Sequence, residues 1–319
     1  MKVMPVLKLV RLSALPSAWA DVFGGVALVL AILPGANLAR WPWLLLATTG
    51  IYLGGMALND VMHAPKDILL GKKRPIVMGD VSIVQAFRLT CILYAAGLLC
   101  AVMAGCAGVA LLLAALTVLY NWLARGTIEV SRLRLSIPRQ MAGVVVIAAC
   151  RALNVSLAWF ALVPAGFSTG GAMDWAPGWV LWSVFFYFVL VTVISLFEDS
   201  GEGRRALRVV SALLAPVVLA VPLRALAGPG TPHSFILGVL APLLIAAALL
   251  LNLWRAVDVA RAEPTPRNLG AAVGAGLRGE CLLMGAFAFA LAPGSPGWAF
   301  AALACYPLAL WLGRRISAT

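Results

Sequence analysis

The chain has 319 residues, 63% of them hydrophobic and 11% charged, where a soluble domain carries about 25% charged residues. With a mean hydropathy of +0.99, that balance excludes a soluble globular protein. The formal net charge of +12 raises nucleic acid as a partner, but the basic residues sit at the ends of apolar segments, which points to a lipid bilayer instead.

A bilayer core about 30 Å thick is crossed by roughly 20 apolar residues in a helix. Such segments are predicted at residues 17–34, 41–58, 82–104, 106–123, 138–164, 176–197, 206–225, 233–254, 277–292 and 296–313. The last two are short and separated by Pro293, Gly294 and Pro296, so the spans number nine with a broken last helix, or ten. Lys2, Lys8 and Arg11 ahead of the first apolar run superficially resemble a signal peptide. Asp21 inside that run and the lack of a small-residue cleavage site assign it to the first span instead. No polar insert is long enough to fold alone, so residues 1–319 read as one all-α, polytopic membrane domain. The six cysteines all fall in apolar segments without metal spacing and are expected in the core.

Lys and Arg near span ends stay on the cytoplasmic side. With ten spans, 20 of the 24 basic residues fall in the termini and the loops after even-numbered spans. Both termini are therefore expected on the cytoplasmic side of the plasma membrane. The acids follow: Asp60, Asp67 and Asp80 after span two, and Glu198, Asp199 and Glu202 after span six, four spans apart. The segment RLSALPSAW from Arg11 echoes RALNVSLAW from Arg151. This suggests two related four-helix halves around a central cavity.

Each acidic patch adjoins cations. Span two runs into Asn59, Asp60, His63 and Asp67, then Lys72, Lys73 and Arg74; span six runs into Glu198 and Glu202, then Arg204, Arg205 and Arg208. Charges at helix ends also serve merely to meet lipid headgroups and balance one another. A diphosphate site uses all of them: hard oxygen ligands hold Mg²⁺, the ion bridges phosphate oxygens, and Lys or Arg neutralise the remaining charge. A spacing of four, as in His63 and Asp67 or Glu198 and Glu202, puts both groups on one helix face.

The order Asn59, Asp60, His63, Asp67, Arg74, Pro75 and Gly79 resembles the first aspartate-rich motif of the UbiA intramembrane prenyltransferases, and Glu198, Gly201 and Glu202 resemble the second. The resemblance covers nearly the whole chain. It implies a helical bundle in which a prenyl diphosphate is held by Mg²⁺ on Asn59, Asp60, Asp67, Glu198 and Glu202, with a small-molecule acceptor capturing the allylic cation. Here His63 stands where the family has an Asp, and Glu198 and Glu202 replace its Asp pair. Imidazole suits Zn²⁺, Cu or Fe better than Mg²⁺, and a protonated His63 would instead contact phosphate directly.

The run from Tyr120 through Arg125, with Met141 to Gly143 and Cys150 to Asn154, is similar to the EboC branch of that superfamily. That branch implies a secondary-metabolite pathway with a cyclitol-type or aromatic acceptor, soluble enzymes of the pathway as partners, and, as the alternative function, a carrier or exporter without catalysis. Asp21 and Arg151, costly in hydrocarbon, are expected to face the cavity, as a structural pair or touching the head group. Tyr120 and Asn154 either orient the acceptor or bond between helices. Arg11 is expected to anchor at the interface, and Met56 and Phe186 are candidates for setting tail length.

Overall fold

The computed structural model describes residues 3–124, 137–167, 175–197, 204–226 and 235–317. Among them are eleven α-helices and no strand: α1 (Val3–Leu9), α2 (Leu15–Ile32), α3 (Trp41–Leu69), α4 (Ile83–Ala104), α5 (Ala107–Ala124), α6 (Ile137–Leu162), α7 (Ala176–Ser195), α8 (Arg204–Leu226), α9 (Ala241–Ala262), α10 (Pro266–Leu291) and α11 (Pro296–Ser317). All but α1 are long and apolar enough to cross a membrane. The protein is a multi-pass membrane protein, and its described spans number ten rather than nine, because the Pro-Gly break at residues 292–295 separates two full helices.

Two helices outrun their predicted spans. α3 continues past residue 58 to Leu69 for 29 residues, about 43 Å at 1.5 Å per residue. It therefore crosses the hydrocarbon and projects beyond it, carrying the first motif on its own last turns. Gly71, at φ 62°, ends it with a left-handed turn open to glycine. α10 begins at Pro266, eleven residues before the predicted span, capped by Thr265, whose side chain accepts a bond from the Asn268 N–H. In α10 72% of the apolar window is buried in the protein, against 22% in α4. Protein neighbours fully enclose Glu280, which hydrocarbon would not tolerate.

The bundle is assembled by close helix approach. A Cβ at Gly50 of α3 would lie 2.6 Å from the Gly97 Cα of α4, so only paired glycines permit that crossing. α2 lies at the centre, packed on α6, α10 and α11. α2 and α6 meet along the echoed segments. The Arg151 guanidinium donates to Ser17 Oγ at 3.3 Å and the Asn154 amide to the Ala18 carbonyl at 3.0 Å. One apolar core joins α2 to α6, and a second joins α7 to α10 with parts of α2, α6 and α11. α4 and α5 turn Phe87, Ile92, Leu99, Leu111 and Trp122 outward, as lipid-facing surface does.

Candidate active site

The extension of α3 sets the geometry of the first motif. At 3.6 residues per turn, Asn59, Asp60, His63 and Asp67 fall within an arc of roughly 100°. Thr48, Tyr52 and Met56 lie on the same stripe further down the helix, and all three line a narrow cavity of about 60 Å³. One face of α3 thus carries hard oxygen donors above an apolar channel.

The donors are held firmly. The Asn59 amide nitrogen donates to Asn121 Oδ1 of α5 at 2.8 Å, and Asn121 is itself fixed by donating to the Thr117 and Gly55 carbonyls at 2.9 and 3.3 Å. Asn59 Oδ1 therefore points to the mouth, where the Arg11 guanidinium donates to it at 3.1 Å. Arg11 reaches that position from a left-handed backbone turn, φ 47° and ψ 50°, between α1 and α2, a conformation uncommon outside glycine. The loop after α3 folds back so that Arg74 meets Asp60 at 2.6 Å and Asp67 at 3.0 Å. Arg11 adds a longer contact to Asp60 at 3.4 Å. Both carboxylates are buried, whereas Arg11 and Arg74 keep 39% and 27% of their side chains exposed. Among the described residues, His63 Nε2, buried on the same face, has no hydrogen-bond partner.

This donor set fits Mg²⁺. Asp60 and Asp67 converge closely enough that one guanidinium bridges both, and Asn59 presents a neutral oxygen beside them. Mg²⁺ commonly takes one or two carboxylates and completes its six oxygens with water and phosphate. Among the described residues no three His, Cys, Asp or Glu side chains cluster as a metal site by themselves.

About 16 Å below Asn59, counted along α3, lies a second polar cluster. Arg151 pairs with Asp21 at 3.2 Å and covers the Phe188 ring at 4.5 Å. The Asn154 amide donates to Asp21 at 2.8 Å and its oxygen accepts from Thr48 at 2.9 Å. Fully buried Glu280 of α10 interacts with both Asp21 and Arg151. Arg151 and Asn154 also line the cavity floor, with Tyr52 and Tyr120 along its walls. Asp21 and Arg151 thus form a bonded pair, and Asn154 bonds between helices while bordering the cavity.

The other expected residues are dispersed. Lys72 is engaged near the motif loop, while Lys73 faces a different cleft, beside Lys8 and Arg278. Arg204 donates to the Ala262 carbonyl at 3.3 Å and Arg205 is exposed. Arg125, Glu198 and Glu202 lie outside the described residues. Met56 borders the cavity, but Phe186 turns outward in a stack with Trp182 at 5.7 Å. Arg11, read as an interface anchor, instead bonds the motif. Asn121, Tyr52 and Glu280 were missed: each is one polar residue in an apolar run, and only the packing of α5, α3 and α10 gives it a role. The free cysteines follow expectation for Cys106, Cys150, Cys281 and Cys305, which are buried, whereas Cys91 is exposed.

Comparisons with known proteins bear on the fold and the family. No curated protein sequence matches the chain. A structure described as digeranylgeranylglyceryl phosphate synthase in membranes is 15% identical, with a TM-score of 0.53, over 92% of this chain and 98% of that one. A UbiA homologue from Archaeoglobus fulgidus bound to GPP and Mg²⁺ is 17% identical, with a TM-score of 0.52, over 88% and 99%. At that identity the likeness establishes the fold. The profile of the UbiA prenyltransferase family matches residues 18–270, and the chain belongs to that family.

Proposed function

We propose that this protein is a Mg²⁺-dependent intramembrane prenyltransferase that moves an isoprenyl group from a prenyl diphosphate to a small acceptor. The observation that carries the reading is the single stripe of α3, with Asn59, Asp60 and Asp67 directly above a cavity walled by Ile51, Met56, Leu113 and Ile147. Such a stripe sorts a molecule with an anionic head and an apolar tail. The bound Archaeoglobus homologue supports the ligand class.

Asn59, Asp60 and Asp67 would hold Mg²⁺, with Glu198 and Glu202 proposed as the second ligand set. A Mg²⁺ ion held there would supply positive charge to the departing diphosphate. Arg74 and Arg11, partly exposed over the carboxylates, and Lys72 add positive charge at the same mouth. Buried His63 lies beside them and is positioned to donate to a phosphate oxygen. The electron pair of the broken C1–O bond leaves on diphosphate, the acceptor bonds to C1 and releases a proton, and the apolar walls keep water from the cation. Tyr52 and Tyr120 line the cavity, where an aromatic ring facing the cation would stabilise it.

We assign the chain to the EboC-like branch, as one membrane domain with the motif and both termini on the cytoplasmic side of the plasma membrane. The acceptor is then a cyclitol-type or aromatic metabolite supplied by soluble enzymes of the same pathway. The exporter reading finds less support, because the deep charges Asp21 and Arg151 are bound to each other. The test is diphosphate release in nanodiscs from farnesyl or geranylgeranyl diphosphate with Mg²⁺ and pathway extract. Release that needs Mg²⁺ and extract and is lost in Glu202→Ala is expected; undiminished release in Glu202→Ala and Asp60→Asn overturns the assignment.

A further inference from the structure

A second concavity, of about 460 Å³, opens between α1, α10 and α11, apart from the prenyl cavity. Lys8 of α1, Arg11, Lys73 and Arg278 of α10 line it, and no acid does. Arg11 meets Asp60 on its far side. Among the described residues, Lys8, Lys73 and Arg278 have no carboxylate partner. Gathering such charges from separate stretches of chain is unfavourable unless an anion joins them.

The cleft is shaped for that anion. The Arg278 side chain folds back along α10, and its Nη1 lies 3.1 Å from where a Cβ at residue 274 would sit, so Gly274 gives the guanidinium its room. Beside the cations the lining is apolar, with Leu277, Ala309 and Ile316. Cations flanked by apolar side chains between membrane helices match a phosphate group joined to a hydrocarbon chain, the chemistry of anionic lipid recognition.

We infer that this cleft binds the phosphate head group of an anionic amphiphile. Two molecules carry that chemistry: a membrane phospholipid, and a prenyl diphosphate not yet at α3, whose site shares Arg11. The experiment reads binding without turnover, so its outcome does not depend on the transferase reading. Purified full-length protein is titrated with phosphatidylglycerol and, separately, with inorganic diphosphate, and retained ligand is read by native mass spectrometry. The Lys8→Gln/Arg278→Gln double variant is expected to bind at least tenfold more weakly. Loss confined to phosphatidylglycerol identifies a lipid site, and loss confined to inorganic diphosphate identifies a diphosphate site.

Gly313→Leu supplies an independent variant, since a Cβ there meets open space. It narrows the cleft without removing charge. For a lipid site it is expected to reduce phosphatidylglycerol retention while sparing inorganic diphosphate. Equal retention of both probes by the wild type and the double variant overturns the inference, as does absence of binding in the wild type. If the double variant does not fold, the single variant Arg278→Gln is read instead: undiminished retention of both probes overturns the inference, and reduced retention of either supports it.

Discussion

The two polar clusters along α3 use similar groups in opposite ways. At the mouth, Asp60 and Asp67 are buried but their cations, Arg11 and Arg74, stay partly exposed and can swing away. At mid-depth Arg151, Asp21 and Asn154 are all buried and bonded across α2, α3 and α6. An ion pair with one wet partner contributes little stability, whereas breaking a fully buried pair is strongly destabilising. The mouth is arranged to exchange partners and the deep cluster to lock helices together.

Substitutions can break that contrast. Arg151→Met, which strands Asp21 and Glu280 in the bundle, is expected to cost about 3–5 kcal/mol. Its unfolding midpoint in detergent should fall far below that of any mouth variant. Asp60→Asn should behave inversely, with a midpoint near wild type and diphosphate release reduced by about 10²–10³-fold. A large stability loss in Asp60→Asn would make the mouth structural and end the distinction.

Two smaller changes sharpen it. Asn121→Leu removes the group that aims Asn59 at the mouth, and outer-shell partners of a metal site are worth about 10–100-fold in affinity or activity. The Mg²⁺ concentration giving half-maximal release should rise by that order while folding persists. Thr48→Val deletes one buried hydrogen bond to Asn154 and should cost about 1 kcal/mol in thermal unfolding, with release unchanged at saturating substrate.

Composition and basic-residue placement revealed the membrane class and the helix series, because hydrocarbon imposes a length and polarity that each span must meet. They misplaced the end of α3 and the start of α10 for one reason: hydropathy registers contact with lipid, and these stretches contact protein or water. Glu280, inside the predicted span at 277–292, received no role from the sequence and proved fully buried. The motif spacing already placed Asn59, Asp60, His63 and Asp67 together, since helical periodicity is local. Arg11 was not legible as their partner, because the contact spans 48 residues and depends on a left-handed turn at a non-glycine position. Asn121 was hidden likewise, in a run whose other members face lipid or the core.

The stripe on α3 has a consequence for substrate length. Met56, Tyr52 and Thr48 recur every four residues below Asn59, each successive side chain about 6 Å deeper along the helix. An extended isoprene repeat covers about 5 Å. Under the proposed function, helix and isoprenoid would advance nearly in step, and the cavity wall would act as a graduated scale with one mark per isoprene. A bulky side chain at residue 56 should stop the tail one mark earlier than the same side chain at residue 52, and the closed network at Thr48 and Asn154 marks the end of the scale.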